Sequence, residues 1–290
     1  MNLQFFCRDR APSSGSGHVP FLKKFTSKEI KKATDGFSMI LGSDSHGTVY
    51  KARFSDGLVA LVKKRAHHQQ GKDTFYRELQ LLARLHHRHL VRLRGFSEGH
   101  DSFLVFDHMG NGSLKEYLRD PLRTPLNWRT RLQIAIDVAA ALEYLYYFCD
   151  PPIYYVSINS NYILLDEDLA AKLSDVGFKA SNLKHNNQHD ISEDENNQRR
   201  RDVVFQFGVL ILELITGQSL GDEGEVVQWV QESGFGYSMH KMVDADLGDS
   251  HDSRELKSLV VVARLCTRVG NERLISIPQI LRYLQGKVEP

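Results

Sequence analysis

Residues 151–177, PPIYYVSINSNYILLDEDLAAKLSDVG, constrain this chain more than any other stretch. A loop opens after Pro151-Pro152 and passes through Tyr155-Val156-Ser157 to a short apolar run, Ile163-Leu164-Leu165. A turn at Asp166–Asp168 leads to Lys172-Leu173-Ser174 and then to the tripeptide Asp175-Val176-Gly177. The pattern is strand, turn, strand, with a polar loop on either side. Two loops held this way need larger elements around them, and the rest of the chain has the patterning to supply those elements.

At 290 residues there is room for one large domain or two lobes with an ample core. A formal net charge of +1 gives no broad electrostatic attraction to nucleic acid, so none is expected as a partner. Cys7, Cys149 and Cys266 lie far apart and make no metal-ligand spacing, which suits a reducing, cytoplasmic compartment. Val203–Ile215 is apolar except at Gln206 and Glu213; it is too short to span a bilayer and predicts a buried helix. No secretory pattern opens the sequence, because Arg8 and Arg10 follow Phe5-Phe6 directly. Cys7 beside these basic residues is a candidate for lipid attachment, so contact with the plasma membrane is expected to be peripheral only.

Residues 1–24 include Pro12-Ser13-Ser14-Gly15-Ser16-Gly17 and predict a flexible tail. Phe25–Phe37 predicts a helix, with Thr26 or Ser27 capping ahead of Glu29 and Gly36 ending it. Strands are expected at Thr48–Phe54 and Leu58–Val62, joined by Ser55-Asp56-Gly57, with Lys63 ending the second. Before them stand Gly42 and Gly47, five residues apart, with Asp44 between. Asp73–Leu85 predicts a helix whose apolar stripe, Phe75, Leu79 and Leu82, also carries Glu78. A carboxylate on such a stripe is costly unless paired. The cluster His86-His87-Arg88-His89 reads as a loop rather than a metal site, ahead of strands at Leu90–Phe96 and Ser102–Asp107. Helices are expected at Trp128–Phe148, Val203–Ile215, Val226–Glu232, Glu255–Cys266 and Ile277–Leu284.

In order and spacing these motifs resemble protein kinases, particularly plant receptor-like kinases, over residues 25–286. The resemblance implies an α+β, bilobal fold: a β-rich N-lobe at about 38–105 with one main helix, a hinge at about 106–110, and a helical C-lobe at about 111–286. It places Gly42, Gly47, Val49, Lys63, Glu78 and Leu164 around an ATP site, with Lys63 paired to Glu78 and Asp175 as a metal ligand. The same comparison exposes departures. Asp44 stands for the middle glycine of the phosphate loop, adding a Cβ and a negative charge. Leu61 stands for alanine at the adenine slot, on the same strand face as Lys63.

The catalytic loop departs further. Ser157 occupies the position of the carboxylate base, Asn159 that of the phosphate-facing lysine, and Tyr162 that of the second metal-ligand asparagine. Asn161 is adjacent, but a one-residue slip would disturb the Ile163-Leu164-Leu165 alignment. Val176 replaces a phenylalanine and Tyr155 a histidine of the family pattern. The interval from Asp175 to Asp202 is short for the family and lacks Ala-Pro-Glu; its Ser192-Glu193-Asp194-Glu195 and Arg199-Arg200-Arg201 read as a polar, mobile stretch. Ser192 is a candidate phosphorylation site, and Arg273 matches an arginine whose glutamate partner is not evident. The resemblance therefore implies a pseudokinase with weak or absent binding of ATP and Mg, acting on other signalling proteins, an active receptor-like kinase among them. Two alternatives stay open: a low-activity serine/threonine kinase using Asp175 and Lys63 with an unusual base, and an ATP-sensing switch without transfer.

Overall fold

A computed structural model describes residues 22–44, 47–65, 72–176, 193–218, 231, 243–248, 251–268 and 275–286. The expectations for most of the N-terminal tail, Gly177, Ser192, Arg273 and all but Gln231 of the helix at Val226–Glu232 lie outside these residues.

Alternation along three strands builds the small lobe. Strands β1 (Lys23–Lys24), β2 (Ile40–Asp44), β3 (Gly47–Arg53), β4 (Val59–Arg65), β5 (Leu93–Ser97) and β6 (Phe103–Asp107) form one sheet in the order β1-β5-β6-β4-β3-β2. Only the β1–β5 pairing is parallel. Ala52 and Phe54, Ala60 and Val62, and Phe103 and Val105 are spaced by two, so each pair shares a face. That outer face is covered by α1 (Ser27–Ala33), which contributes Ile30, together with Phe25. Thr26 starts α1 as the sequence predicts: its Oγ1 accepts the Glu29 N–H at 3.2 Å, and the Glu29 carboxylate accepts the Thr26 N–H at 2.7 Å.

The predicted β3–β4 hairpin is present, with the Phe54 N–H donating to the Leu58 carbonyl at 2.8 Å and Gly57 at φ +87°. Strand β4 does not end at Lys63, however. It pairs with β3 as far as Arg65, opposite Gly47. The extra residues put Leu61, Lys63 and Arg65 on the inner face, toward α2 (Lys72–Arg84). There Phe75, Leu79 and Leu82 are buried as their spacing requires, and Glu78 with them.

The large lobe comprises α3 (Leu114–Arg119), α4 (Trp128–Glu143) followed by a π-helical turn at Tyr144–Phe148, the two-stranded ribbon β7 (Ile163–Leu165) and β8 (Ala171–Leu173), α5 (Glu193–Thr216), α6 (Ser253–Cys266) and α7 (Ile277–Gln285). Helix α5 is buried almost all round from Val203 onward, which explains its apolar run. Its start corrects the sequence reading: Glu193–Arg201 is helical, not an unstructured polar stretch. Glu193, Asp194 and Glu195 suit the positive end of the helix dipole, and Arg199 pairs with Glu195 one turn back at 2.5 Å.

The lobes are joined behind the hinge by backbone bonds from Val91 N–H to Leu173 O (3.0 Å) and from Leu173 N–H to His89 O (3.0 Å). Buried His89 adds Nδ1 against Ala171 O at 3.1 Å and Nε2 near Asp137 at 3.5 Å. Its neighbour His87 stacks on Tyr144 at 4.9 Å between ring centroids and accepts the His89 N–H through Nδ1. Burial and the adjacent histidine lower the pKa of His87 to about 4 from 6.5. Between those values the unfolded chain binds a proton that the folded ring refuses, so stability is full above pH 6.5 and falls toward pH 4. Solvent screening at this half-exposed ring reduces the expected loss to about 1 kcal/mol. In urea titrations across that range, His87→Phe should keep the stacking and flatten this part of the profile; an unchanged slope would contradict the assignment.

Candidate nucleotide and catalytic site

The small-lobe wall of the site follows from the β4 register. Val49 lies opposite Lys63 on β3, and Leu104 opposite Lys63 on β6. Leu61 is buried on the same face, between Lys51 and Phe106 in the ladder. The two glycines differ in what they require. At Gly47, φ is +143° and an added Cβ would sit 1.9 Å from the Lys64 carbonyl oxygen, so the β3–β4 pairing itself excludes any other residue. At Gly42 a Cβ would meet nothing within 4 Å. Asp44 closes the β2–β3 ladder opposite Gly47.

Glu78 is met by Arg65, a cation that the sequence reading did not name, in addition to the charge of Lys63 nearby. Arg65 Nε lies 2.9 Å from Glu78 Oε2, with both side chains almost wholly shielded from water. The N–H is poorly aligned, so the contact is an ion pair and neither group completes a hydrogen bond through it. The Phe75 ring lies 5.4 Å from the guanidinium. Burial raises the Glu78 pKa; Arg65 and then Lys63 oppose the rise, and Asp175 adds to it. Lys63, Arg65, Glu78 and Asp175 thus form one buried group of two positive and two negative side chains. Arg65 reaches Glu78 because of the length of β4: with period two, a strand that continues to Arg65 gives α2 a second cation on the same face as Lys63.

Across the cleft the loop from Ile153 to Leu165 contains no carboxylate, imidazole, ammonium or guanidinium. Ser157, at the base position, is half-buried, and its N–H donates to the Asp175 carbonyl at 3.2 Å. The Asn159 side chain turns into its own loop, its Oδ1 accepting the Asn161 N–H at 3.0 Å. The Tyr162 carbonyl accepts both the Ser174 N–H (3.0 Å) and the Ser174 hydroxyl (2.9 Å), fixing this loop to β8. Half-buried Leu164 bridges to Ser113, the residue that caps α3. Sequence reasoning missed Gln206, whose Oε1 accepts the Ile158 N–H at 2.8 Å and ties the loop to α5. A polar residue inside an apolar helix was the available signal, since it needs a partner.

Two further contacts clamp the loop. Arg199 lies 4.2 Å over the Tyr155 ring, and Arg200 lies 5.1 Å over Tyr154 while donating to its hydroxyl at 2.7 Å. Val156 pairs with Val176, and both are buried, so small aliphatic side chains fill this part of the core.

Of the two residues expected to hold a metal ion, only Asp175 is a carboxylate, and no cluster of three or more His, Cys, Asp or Glu occurs among the described residues. Asp175 is buried, and its Oδ1 has no hydrogen-bond partner, leaving a carboxyl oxygen of the kind that hard cations take as ligand. The second position offers only the neutral Tyr162 phenol, a poor ligand for Mg.

A family profile for protein tyrosine and serine/threonine kinases matches residues 36–244. A probable receptor-like protein kinase of Arabidopsis thaliana is 41% identical over 92% of this chain, which spans 44% of that protein. A probable LRR receptor-like protein kinase of the same plant is 31% identical over 94% of the chain and 33% of its own length. The chain therefore spans less than half the length of these relatives. Among solved structures, the pseudokinase domain of BIR2, an immune regulator of the RLK/Pelle family, has a TM-score of 0.79 and 28% identity, with 91% of this chain and 84% of that one covered. The pseudokinase DRIK1, bound to ENMD-2076, has a similar fold, with a TM-score of 0.76, 21% identity, and 95% and 100% coverage.

Proposed function

This chain belongs to the protein tyrosine and serine/threonine kinase family, among the receptor-like kinases, and from that membership we propose that it works by binding rather than by phosphoryl transfer. The observation that carries this reading is the loop from Ile153 to Leu165, which holds no side chain able to take the proton of a substrate hydroxyl at neutral pH. Losing such a base forfeits roughly 10²–10⁴ in rate. The likeness to the BIR2 pseudokinase domain supports it. Its partners in this reading are other signalling proteins, an active receptor-like kinase among them. The compartment is the cytoplasm with peripheral contact to the plasma membrane, and the vesicle measurements below test the membrane half.

ATP binding is expected to be weak, because Leu61 narrows the adenine slot and Asp44 adds negative charge to the phosphate loop. Calorimetry with and without magnesium should give a Kd weaker than about 10 μM, and radiolabelled phosphate transfer should not exceed that of Lys63→Ala. Leu61→Ala should tighten nucleotide binding more than Ser157→Asp does. Tight binding by the natural chain, or no gain in Leu61→Ala, would contradict occlusion; transfer well above the control would contradict the whole reading.

A second reading is favoured by the unpartnered Asp175 oxygen: a nucleotide-sensing switch without transfer. Binding that is tight only with magnesium, and still without transfer, would select it.

A further inference from the structure

The outer side of the small lobe carries a charge pattern unrelated to the cleft. Five lysines, Lys23, Lys24, Lys28, Lys31 and Lys32, lie on or just before α1. Lys23 pairs with Asp56, and Lys24 with Glu98. Lys28, Lys31 and Lys32 are exposed and make no ion pair among the described residues. Glu29 is turned toward the helix start, where its carboxylate accepts from Thr26, and it does not line the depression formed by these lysines. The three lysines line one shallow depression, where Asp35 is the single acid and Gly36 the far wall. The chain then turns sharply, with Phe37 and Ser38 N–H groups both donating to the Thr34 carbonyl. The turn delivers Met39 and Ile40 at the free edge of the sheet, 54% and 60% exposed. Three consecutive Cα steps of 3.8 Å place Met39 within about 11 Å of Gly36.

We propose that this face docks on an anionic lipid bilayer, the lysines meeting lipid headgroups and Met39 and Ile40 dipping into the interface. Charge complementarity selects the occupant: three lysines against the single acid Asp35 line the depression, a local concentration of positive charge on a chain of net charge +1. The adjoining exposed aliphatic residues favour a bilayer over a wholly hydrophilic acidic chain, which would gain nothing from them. The docking rests on chemistry separate from the cleft, so it stands or fails independently of catalytic impairment. It also needs no lipid on Cys7.

The test uses the full chain without lipidation in vesicle co-sedimentation at about 0.1 M salt, where the screening length is about 10 Å. Phosphatidylcholine vesicles with phosphatidylserine should bind the chain, and phosphatidylcholine alone should not. The triple variant Lys28→Gln, Lys31→Gln, Lys32→Gln should bind about 100-fold more weakly, following from about fivefold per lysine. Met39→Ser with Ile40→Ser should also weaken binding, whereas Lys257→Gln, an exposed change on α6, should not. All these side chains are exposed, and an unchanged thermal melt verifies folding. Equal binding to both vesicle types, full binding by the triple variant, or binding to polyglutamate in preference to vesicles would each overturn the proposal.

Discussion

Glu78→Ala is expected to destabilise the domain by about 3–5 kcal/mol, the usual consequence of leaving one member of a buried ion pair without the other. For a domain of this size that corresponds to a fall of roughly 10 °C in Tm. Arg65→Ala should cost a similar amount, because Glu78 would then keep its burial and lose its 2.9 Å contact. Arg65→Met combined with Glu78→Leu should recover most of the loss, since replacing both charges with apolar side chains removes the desolvation penalty that pairing only offsets. The double-mutant cycle between residues 65 and 78 should show a larger coupling than the cycle between 63 and 78, because Arg65 lies 2.9 Å from the Glu78 carboxylate and opposes its rise in pKa more than Lys63 does. Equal couplings, or a larger one for Lys63, would show that Arg65 is not the partner that positions α2.

Restoring the three family residues of the catalytic loop is expected to leave turnover at least ~10²-fold below the usual kinase range of about 1–100 s⁻¹. Ser157→Asp supplies a base, Asn159→Lys a phosphate-facing charge and Tyr162→Asn a metal-ligand oxygen. Leu61 stays buried on the Lys63 face of β4, Asp44 stays opposite Gly47, and Val176 stays paired with Val156. Lysine at 159 also removes the Asn159 oxygen that now caps the Asn161 N–H, loosening the loop meant to be repaired. Catalysis needs these groups in one geometry at once, so the repairs are non-additive. Phosphate transfer by the folded triple variant under saturating magnesium-ATP is the measurement. Turnover near one per second would show that the three substitutions were the entire defect.

The fold was legible because its signals are local and periodic. The apolar stripe of α2, the Asp-Gly hairpin and the Thr26–Glu29 cap each depend on residues within a few positions of one another. The motif departures at Ser157, Asn159 and Tyr162 were legible for the same reason. What the sequence hid was set by tertiary reach. Arg65 escaped because strand ends are uncertain by a residue or two and Lys63 already satisfied the motif. The clamp of Arg199 and Arg200 on Tyr155 and Tyr154 joins side chains more than 40 residues apart, and a charge run gives no sign of which rings it will cover. Glu193–Arg201 was read as a mobile tract because the stretch has almost no apolar side chains; it continues as helix because the buried half of α5 extends it.

The seam behind the hinge governs how the two lobes can move. Parting the lobes along that seam would strand the Val91 and Leu173 amides and pull His89 from Ala171 and Asp137. Each buried group left without a partner costs about 1–3 kcal/mol, so a wide gape would cost a sizeable part of the fold's stability. Rotation of one lobe against the other about the same line keeps those bonds. The seam is therefore the line about which the two lobes can turn on each other without giving up buried hydrogen bonds.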